Sequence, residues 1–552
     1  MTVFNVFEYA NLIAMSTGTT VNKKKEATNA LHLDVVALNQ LLEQKSELIE
    51  KKSQVIQNQQ ARIAILEELL QSKKIERFAA SSETNPLQAR LFNEAELEAD
   101  NDATDDSATS DETGEIAKRK PRPKRKGLNP NIPRVQKRLL LSDEQRENAI
   151  DTFFVPVKEE LDITPAQVQV IEILQEKAVY LDENGERKMV AAARGPHPLG
   201  KSIASVSLLA YLVIAKYCDG LPLYRLEGIL KRYGGSINRS TMAGWLIRLA
   251  QQFQCVVNLL QEVQLSADYL QGDETRLQVL KEKGMDPTGD KWIWVLRGGP
   301  PDKAVVFFHY DKSRGGKVAR ELLDGFSGRY YQCDGYAGQK IGVGDKEVTV
   351  IGCMDHARRK FVTAEKALTK KALKGTPAKC TVARAKFDAL YRIERKMDEL
   401  QLDEDQRFEY RQQHAIPKLA ELKKWLDKNE PTVAKDSLTH TAIKYALNQW
   451  EHLAAYCDHG QLKISNVLVE NAIRPFVIGR KGWLFADTPR GAKASAVFYT
   501  LIETAKANDI DPYKYLLHLC KHIASVETVD DVEKLMPWNV KDQLTKFESI
   551  AA

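Results

Sequence analysis

The segment from residue 266 to residue 360 constrains the fold most, because its pattern is typical of β-strands in a chain that otherwise has a mainly helical pattern. Its apolar residues alternate with polar ones or form short runs, which glycine, proline and aspartate separate. This pattern predicts five strands, at ADYLQGDET, WIWVLRGG, AVVFFHYD, RYYQCDGY and VTVIGCMDH. One helix, GKVARELLDGF, is predicted between the third strand and the fourth. The chain is therefore expected to contain a sheet among helices.

Three of the predicted strands end in, or run directly into, an aspartate: Asp273, Asp311 and Asp334. Carboxylates on rigid strand ends suit Mg²⁺, which prefers hard oxygen ligands. If the first and fourth strands are sheet neighbours, Asp273 and Asp334 meet, and Glu470 in the helical segment SNVLVENAIRP can supply a third carboxylate. Two alternatives stay open on spacing alone. Glu274 could be the ligand instead of Asp273, or Asp334 and the glycine after it could form an ordinary turn.

Charge is small in total but strongly segregated along the chain. The net charge is +5, from 80 Lys and Arg against 75 Asp and Glu. Residues 94–115 carry ten acidic residues and no Lys or Arg, which predicts a disordered tract. The segment KRKPRPKRK then predicts an extended basic arm that contacts DNA, or alternatively a solvated linker. The basic residues of this arm are Lys118, Arg119, Lys120, Arg122, Lys124, Arg125 and Lys126.

The N-terminal part predicts one long helix over residues 31–75, which contain neither glycine nor proline. Aliphatic residues recur every seventh position in this segment, at Leu42, Ile49, Ile56, Ile63 and Leu70. A heptad pattern sustained over about four repeats favours self-association as a coiled coil. The alternative is an amphipathic helix that packs on its own chain.

Residues 197–260 are helical in pattern and contain a candidate helix-turn-helix. Pro222 begins one helix, and Gly234 lies at its end. Ser240 is the predicted N-cap of the next helix. Two short helices joined by a glycine-containing turn suit DNA binding, although many helical hairpins share this pattern. The candidate DNA contacts at the start of the second helix are Asn238, Arg239, Ser240 and Thr241.

Two further basic clusters lie near the predicted carboxylates in the sequence. The first follows the fifth strand and the second flanks Glu470. Both are predicted to bind DNA phosphates, with a solvated basic helix start as the alternative for the first. Cys353 and His356 alone are too few for a zinc site, so no zinc is predicted. The clusters are His356, Arg358, Arg359 and Lys360, then Arg474, Arg480, Lys481 and Arg490.

Seven scattered cysteines without a CxxC pair indicate reduced thiols rather than a disulfide framework. No apolar run approaches the 18 or so residues that a membrane span requires, and the N-terminus is a poor signal peptide. A cytoplasmic protein with no membrane partner is therefore expected.

Long ordered motifs in this chain resemble those of transposases of the insertion sequence 66 family. The similar motifs include GLPLYRLEGILKRYGGSINRSTMAGWL, YYQCDGYAG, IGCMDHARRKF and ENAIRPFVIGRKGWLFADTPRGAKASAVFYTLIETAKANDIDPYKYL. The resemblance covers roughly residues 30–90 and 195–540. It implies an α/β ribonuclease H-like catalytic core with a helical insertion, preceded by a mainly helical DNA-binding region and an N-terminal coiled coil.

The resemblance also implies an Asp-Asp-Glu triad, which falls on Asp273, Asp334 and Glu470, with two Mg²⁺ (or Mn²⁺) ions. Asp311 matches no ligand of the family and is interpreted as a turn residue. Many relatives carry a CxxC-type zinc-binding segment, whereas residues 121–200 here contain no cysteine. Ser465 and Asn471 also depart from the family pattern.

The sequence and the resemblance together predict a DNA transposase that cleaves transposon ends and transfers them into target DNA. The alternative is a catalytically inactive or repurposed DNA-binding protein. The expected partners are double-stranded DNA (terminal repeats and target), a second copy of the chain, and small accessory proteins of the same element.

The predicted organisation is a flexible N-terminus (1–30), a coiled-coil region (31–92), the acidic tract and basic arm (93–135), a small module in place of the zinc-binding segment (136–196), the helix-turn-helix-like region (197–260), the first part of the core (261–362), a helical insertion (363–460), the Glu-bearing part of the core (461–525) and a C-terminal tail (526–552).

Overall fold

A computed structural model describes residues 21–78, 168–181, 187–344, 347–368 and 377–546 of the 552-residue chain. These residues divide into two compact units. The first contains the described residues of the N-terminal region together with 359–385 and 424–447, and the second contains the rest. The acidic tract and the basic arm lie outside the described residues.

The N-terminal region of the first unit is one helix, α1 (Val21–Phe78), of 58 residues. It is longer than the helix predicted for residues 31–75. The heptad row is solvent-exposed along it, because its five side chains are between 52% and 66% exposed. The helix therefore presents an apolar row that nothing in the described part of its own chain buries.

The second unit begins with a hairpin and a group of helices. Strands β1 (Lys177–Leu181) and β2 (Arg187–Ala191) pair antiparallel. Four helices follow: α2 (Val206–Tyr217), α3 (Leu223–Arg232), α4 (Arg239–Gln252) and α5 (Gln254–Leu265). The N-cap of α4 is Asn238, whose side chain accepts a hydrogen bond from the amide of Thr241. The prediction of Ser240 as N-cap was wrong by two residues, because either side chain can cap and Asn238 reaches the free amide.

All five strands predicted between residues 266 and 360 are present, and they form one mixed sheet. The strands are β3 (Tyr269–Gln278), β4 (Asp290–Gly298), β5 (Val305–Asp311), β6 (Tyr330–Gln332) and β7 (Thr349–Ile351), with α6 (Gly316–Leu322) and α7 (Ala337–Val343) beside them. The order across the sheet is β5-β4-β3-β6-β7. Strands β3 to β5 pair antiparallel, whereas β6 and β7 run parallel to β3. The chain thus contains an α/β core in which the first and fourth predicted strands are neighbours.

Further helices complete both units. They are α8 (Met354–Lys366), α9 (Lys379–Glu399), α10 (Glu404–Asn429), α11 (Leu438–Asn448), α12 (Trp450–Ala454), α13 (Val467–Trp483), α14 (Pro489–Ala507), α15 (Pro512–His522), α16 (Val529–Lys534) and α17 (Pro537–Lys546). Within the described ranges, no helix combines the length and the apolar character needed to cross a membrane.

Helix α14 packs along the outer edge of β5. The side chains of Thr500 and Thr504 accept hydrogen bonds from the amides of Phe308 (2.9 Å) and Val306 (3.0 Å). An edge strand normally presents unpaired amides to solvent. Here two threonines of a buried helix satisfy those amides. An aromatic cluster of Phe308, Phe476 and Tyr499 fills the space behind them, with ring centroids 5.1 to 6.4 Å apart.

Candidate catalytic centre

Two of the predicted carboxylates are brought together by the pairing of β3 with β6. Asp273 lies in the middle of β3, and Asp334 follows the end of β6 by two residues. In the register of these parallel strands Gln271 is opposite Gln332. Asp273 and Asp334 therefore each lie two residues after one of these paired glutamines, towards the same end of the two parallel strands.

The third carboxylate, Glu470, comes from the first turn of α13. Burial raises the pKa of Asp273 well above its ordinary value, and the charges of Glu274, Asp334 and Glu470 raise it further. Coulombic interactions weaken with separation, so Asp334 and Glu470 both lie within electrostatic range of Asp273.

The chemistry of this donor set fits Mg²⁺ or Mn²⁺. Carboxylate oxygens are the ligands that these hard cations prefer. The carboxylates near Asp273 also create a local excess of negative charge, which a bound divalent cation would relieve. Asp273, Asp334 and Glu470 are therefore the residues that could hold such ions.

Glu274, the alternative ligand, has other partners. Its side chain is only 1% exposed, and it pairs with Arg314 at 2.6 Å. It also accepts a hydrogen bond from the side-chain amide of Gln339. The guanidinium of Arg314 is stacked 3.8 Å from the ring centroid of Tyr336 and 4.7 Å from that of Trp292. These contacts favour a structural role for Glu274 and leave Asp273 as the better candidate ligand.

The turn interpretation of Asp334 and its proposed metal role are compatible. One carboxylate oxygen of Asp334 accepts a hydrogen bond from the amide of Tyr336 at 2.8 Å, as in an Asx-turn. The same carboxylate contributes to the field at Asp273. Asp311, in contrast, accepts a bond from the amide of Ser313 at 2.7 Å, which fits its interpretation as a turn residue.

Two buried glutamines connect the sheet to the helix that carries Glu470. The side-chain amide of Gln271 donates to Gln332 (2.8 Å), and its carbonyl oxygen accepts from the amide of Val469 (3.1 Å). Gln332 in turn donates to the backbone oxygen of Lys463 at 2.8 Å. Gln271 thereby caps the first turn of α13, whose own N-cap, Asn466, makes no side-chain capping bond.

Sequence reasoning missed these glutamines, although a signal was present. The two aspartate strands share a Gln-x-Asp pattern, QGD at 271–273 and QCD at 332–334. A polar residue at a buried strand position requires a partner. Gln271 and Gln332 each lie two residues before a candidate ligand, a pattern that could have predicted that the two glutamines bond to each other and support the site.

Gly272, between Gln271 and Asp273, is required by close packing. A Cβ atom at this position would lie 1.9 Å from the hydroxyl oxygen of Tyr331, a separation that no real contact tolerates. Tyr331 is buried, and its hydroxyl donates to Gln339. Gly272 therefore allows the hydroxyl end of Tyr331 to lie against β3 at the residue before Asp273.

His356, at the start of α8, lies beside Glu470. Its Nδ1 atom is 3.7 Å from a carboxylate oxygen of Glu470, and the two side chains are 25% and 18% exposed. Ligand atoms of Cys353, His356 and Glu470 all lie within 4.8 Å of one another. The sequence could not link Glu470 to the other two, because more than a hundred residues separate them.

The remaining predicted DNA contacts differ in their exposure and in the contacts that they make within the chain. Arg358 pairs with Asp388 at 2.7 Å, and Arg480 donates to the hydroxyl of Thr275 at 3.3 Å. Lys360 lies 4.5 Å from the ring centroid of Tyr445 within the first unit. The half-buried Arg474 donates to the side chain of Asn471. The solvent-exposed candidates are Asn238, Arg239, Ser240, Arg359, Lys360, Lys481 and Arg490, with Thr241 partly exposed.

Trp483, at the end of α13, packs inside the unit. Its ring meets Phe476 edge to face at 5.5 Å, and the Lys216 ammonium lies 5.2 Å from its centroid. These contacts make Trp483 a packing residue. The seven basic residues of the arm, from Lys118 to Lys126, lie outside the described residues.

The amino-acid sequence of this chain is similar to known protein families and to individual proteins. The family described as "Transposase IS66 family" matches residues 201–494, "IS66 C-terminal element" matches 500–538, and "Transposase C of IS166 homeodomain" matches 65–136. Among similar proteins, uncharacterized protein y4qI of Sinorhizobium fredii (strain NBRC 101917 / NGR234) is 31% identical over 78% of this chain and 79% of its own length. Uncharacterized protein y4jD of the same organism is 30% identical over 69% of this chain and 75% of its own length.

Proposed function

The chain belongs to the IS66 family of transposases, and on that basis we propose that it cleaves the ends of its element and joins them to target DNA through Asp273, Asp334 and Glu470. Family membership places its activity in DNA transposition. One observation carries the finer proposal: the parallel pairing of β3 with β6 places Asp273 and Asp334 on neighbouring strands, and Glu470 lies within electrostatic range of Asp273. Perturbed titration of clustered carboxylates is typical of metal-dependent active sites.

We further propose that the catalytic core is ribonuclease H-like. The strand order β5-β4-β3-β6-β7 supports this assignment, with three antiparallel strands followed by two that run parallel to the first. The positions of the carboxylates support it too. Asp273 and Asp334 belong to neighbouring parallel strands, and Glu470 lies on a helix that follows the helical insertion.

In the proposed reaction, Asp273, Asp334 and Glu470 would hold a pair of Mg²⁺ (or Mn²⁺) ions through their carboxylate oxygens. When bound, the pair would supply activation of the attacking oxygen and charge stabilisation of the leaving oxygen of the phosphodiester. Gln271 and Gln332 position Glu470, because Gln271 bonds to the first turn of its helix and Gln332 bonds to Lys463 in the segment before that helix. The triad supplies no nucleophile, so water attacks in cleavage and the DNA 3′-hydroxyl attacks in strand transfer.

Direct DNA contact is best proposed for the exposed basic residues. The first turn of α4, with Arg239 and Ser240, is exposed, as are Lys481 and Arg490 on either side of the loop after α13. Arg358 and Arg480 hold internal partners and are better explained as braces of α8 and α13. The basic arm at residues 118–126 adds sequence-independent attraction to phosphates.

Self-association is proposed to occur through α1. Its exposed heptad row would be buried by the same row of a second copy, which would hold two DNA ends together. Replacement of Ile49 and Ile56 by Asp should abolish the dimer in sedimentation analysis, whereas Gln57→Asp, which lies outside the row, should leave it intact. A double variant that remains dimeric would contradict this assignment.

The proposed activity is tested with the full chain, Mg²⁺ and DNA that carries the terminal repeats of its element. Assays with and without the small proteins encoded in the same element include any required partner. We expect nicked ends with a 3′-hydroxyl, which are then joined to target DNA. Asp334→Asn should abolish cleavage, whereas Asp311→Asn should retain it, because Asp311 makes only a local turn bond.

The alternative function is DNA binding without catalysis, which the absence of cysteine from residues 121–200 motivates. A gel-shift measurement on the same samples separates the two proposals. A chain that binds the terminal repeats but does not cut them under any of these conditions would establish the alternative. Equal cleavage by the wild type and Asp334→Asn would refute the triad.

A further inference from the structure

We propose that Cys353, His356 and Glu470 form a binding site for one thiophilic divalent cation, with Zn²⁺ as the best match. This site differs from the all-oxygen donor set around Asp273 because it includes a sulfur and a ring nitrogen. It shares Glu470 with that set. The consequence for activity described below therefore rests on the proposed function, whereas the binding itself does not.

The separations suit a single ion. Zn²⁺ binds sulfur at about 2.3 Å and nitrogen or oxygen at about 2.0–2.2 Å, so its tetrahedral ligands lie about 3.5 Å from one another. The Nδ1 atom of His356 is 3.7 Å from the carboxylate oxygen of Glu470. The sulfur of Cys353 completes a set whose atoms all lie within 4.8 Å of one another. Small side-chain movements of about 1 Å would close the set around an ion.

The backbone fixes the positions of the three donors. Cys353 and His356 are three residues apart across the start of α8, and Glu470 is in the first turn of α13. The two segments are joined by a hydrogen bond from the amide of Met354 to the carbonyl of Ile464 at 3.1 Å. The donors thus come from two connected backbone segments rather than from a mobile loop.

Burial raises the pKa of the Cys353 thiol well above its ordinary value, and the charges of Asp355 and Glu470 raise it further, so the thiolate needs the positive charge of a bound cation. The backbone amides of Asn466 and His356 face the sulfur and favour the thiolate. Such outer contacts orient metal ligands and stabilise the negative sulfur. When the sulfur–metal bond forms, the thiol proton of Cys353 leaves to solvent. The resulting thiolate and the carboxylate of Glu470 together balance the two positive charges of the ion.

An ion can reach this site from one side. Cys353 is buried, whereas the side chains of His356 and Glu470 are 25% and 18% exposed. Three protein ligands leave one tetrahedral position for water, as in open zinc sites. Mg²⁺ would not compete for the sulfur, because it prefers oxygen ligands. The two donor sets therefore select different cations while they share one carboxylate.

Because both proposed cation sites use Glu470, binding of Zn²⁺ at one site should weaken binding of Mg²⁺ at the other. An ion held by Cys353 and His356 draws on the carboxylate that the proposed Mg²⁺ site needs. Zn²⁺ should therefore inhibit Mg²⁺-dependent DNA cleavage, and removal of the sulfur ligand should relieve that inhibition.

Binding is tested on the metal-free full chain with Co²⁺ as a spectroscopic probe. One equivalent should produce a thiolate-to-cobalt charge-transfer band and the visible bands of a tetrahedral ion. Cys353→Ser should lose the charge-transfer band, and His356→Gln should weaken Zn²⁺ affinity at least as much as the loss of an outer-shell contact, about 10–100-fold. Cys255→Ser, which removes an exposed thiol outside the site, should retain both the band and the affinity.

Circular dichroism verifies that each variant is folded, and the partly exposed His356 gives a second variant, His356→Gln, if Cys353→Ser does not fold. A band that is absent at one equivalent, that persists in Cys353→Ser, or that disappears in Cys255→Ser would overturn the site. The cleavage assay is then repeated with increasing Zn²⁺. Relief of inhibition in Cys353→Ser supports the antagonism, and equal inhibition of wild type and variant refutes it. A chain that binds Co²⁺ as expected but never cuts DNA refutes the proposed function alone.

Discussion

Replacement of Gln271 by Leu should uncouple Glu470 from the two aspartates without removing any proposed ligand. Gln271 is buried in β3, and its carbonyl oxygen caps the first turn of α13 through the amide of Val469. Leucine has a similar volume but can neither accept that bond nor donate to Gln332. The variant therefore tests whether the brace, rather than the carboxylates alone, forms the site.

The expected loss of stability follows from the bonds removed. Loss of a helix cap costs about 1 kcal/mol, and a buried polar group left without its partner costs about 1–3 kcal/mol. We therefore expect the free energy of unfolding of the second unit to fall by about 2–4 kcal/mol. Hydrogen exchange should increase in peptides from residues 466–483, because α13 would lose its cap.

The expected effect on cleavage is larger than the loss of stability explains. A misplacement of about 1 Å in an active site can reduce the rate about 100-fold. The Gln271→Leu variant should therefore cut terminal-repeat DNA about 100-fold more slowly at a temperature where it is folded.

A matched control exists in Gln264, a fully buried glutamine of α5. Its side-chain amide donates to the backbone oxygens of Leu296 and Val305, both at 3.0 Å. Gln264→Leu should lose comparable stability but cut DNA at close to the wild-type rate, because its partners lie at the ends of β4 and β5. Equal cleavage by Gln271→Leu and Gln264→Leu at matched stability would refute the brace.

Three further variants test the surroundings of the site. Because the pKa of Asp273 is raised in the folded state, the metal-free protein loses stability as pH rises above the pKa of this carboxyl in the unfolded state and through its pKa in the folded state. Asp273→Asn should therefore raise the melting temperature at neutral pH in EDTA and remove stabilisation by Mg²⁺. Gly272→Ala should cost about 1–3 kcal/mol in denaturant unfolding through overpacking, whereas Gly228→Ala, in an open helical position, should gain about 1 kcal/mol. Arg314→Met should cost about 3 kcal/mol because it leaves Glu274 buried without its ion pair, and the addition of Glu274→Gln should restore most of that loss in a double-mutant cycle.

Specific outcomes would contradict these expectations. Asp311→Asn, at an exposed turn, should reproduce neither effect of Asp273→Asn, and an identical response would assign both to net charge. Stability unchanged in Gly272→Ala would mean that the Tyr331 ring can move aside. Additive losses in the Arg314 and Glu274 variants would show that the two side chains are not coupled.

Much of the fold could be predicted from local patterns. Period-two alternation located all five strands, and helical periodicity located the helix that carries Glu470. The order of the strands was predicted only as a condition, because pairing of β3 with β6 joins residues about sixty positions apart. The shared Gln-x-Asp pattern becomes a contact between Gln271 and Gln332 only through that pairing.

Contacts between distant segments explain the other omissions. Thr500 and Thr504 look like ordinary helical residues until β5 is placed beside them, nearly two hundred residues away in the sequence. Cys353 and His356 became part of a three-donor cluster only when α13 brought Glu470 to them. Asn238 and Ser240 are both good capping residues, and the choice between them depends on where α4 begins.

The bonds from β5 to the two threonines of α14 have a consequence for how the chain is synthesised. β5 emerges from the ribosome long before α14, so its outer amides have no partner until residues 489–507 have been synthesised. A truncated product that stops before residue 489 would therefore present an open strand edge capable of pairing with another such product. Frameshifted or prematurely terminated copies of the gene would on this account yield aggregating fragments rather than inert ones.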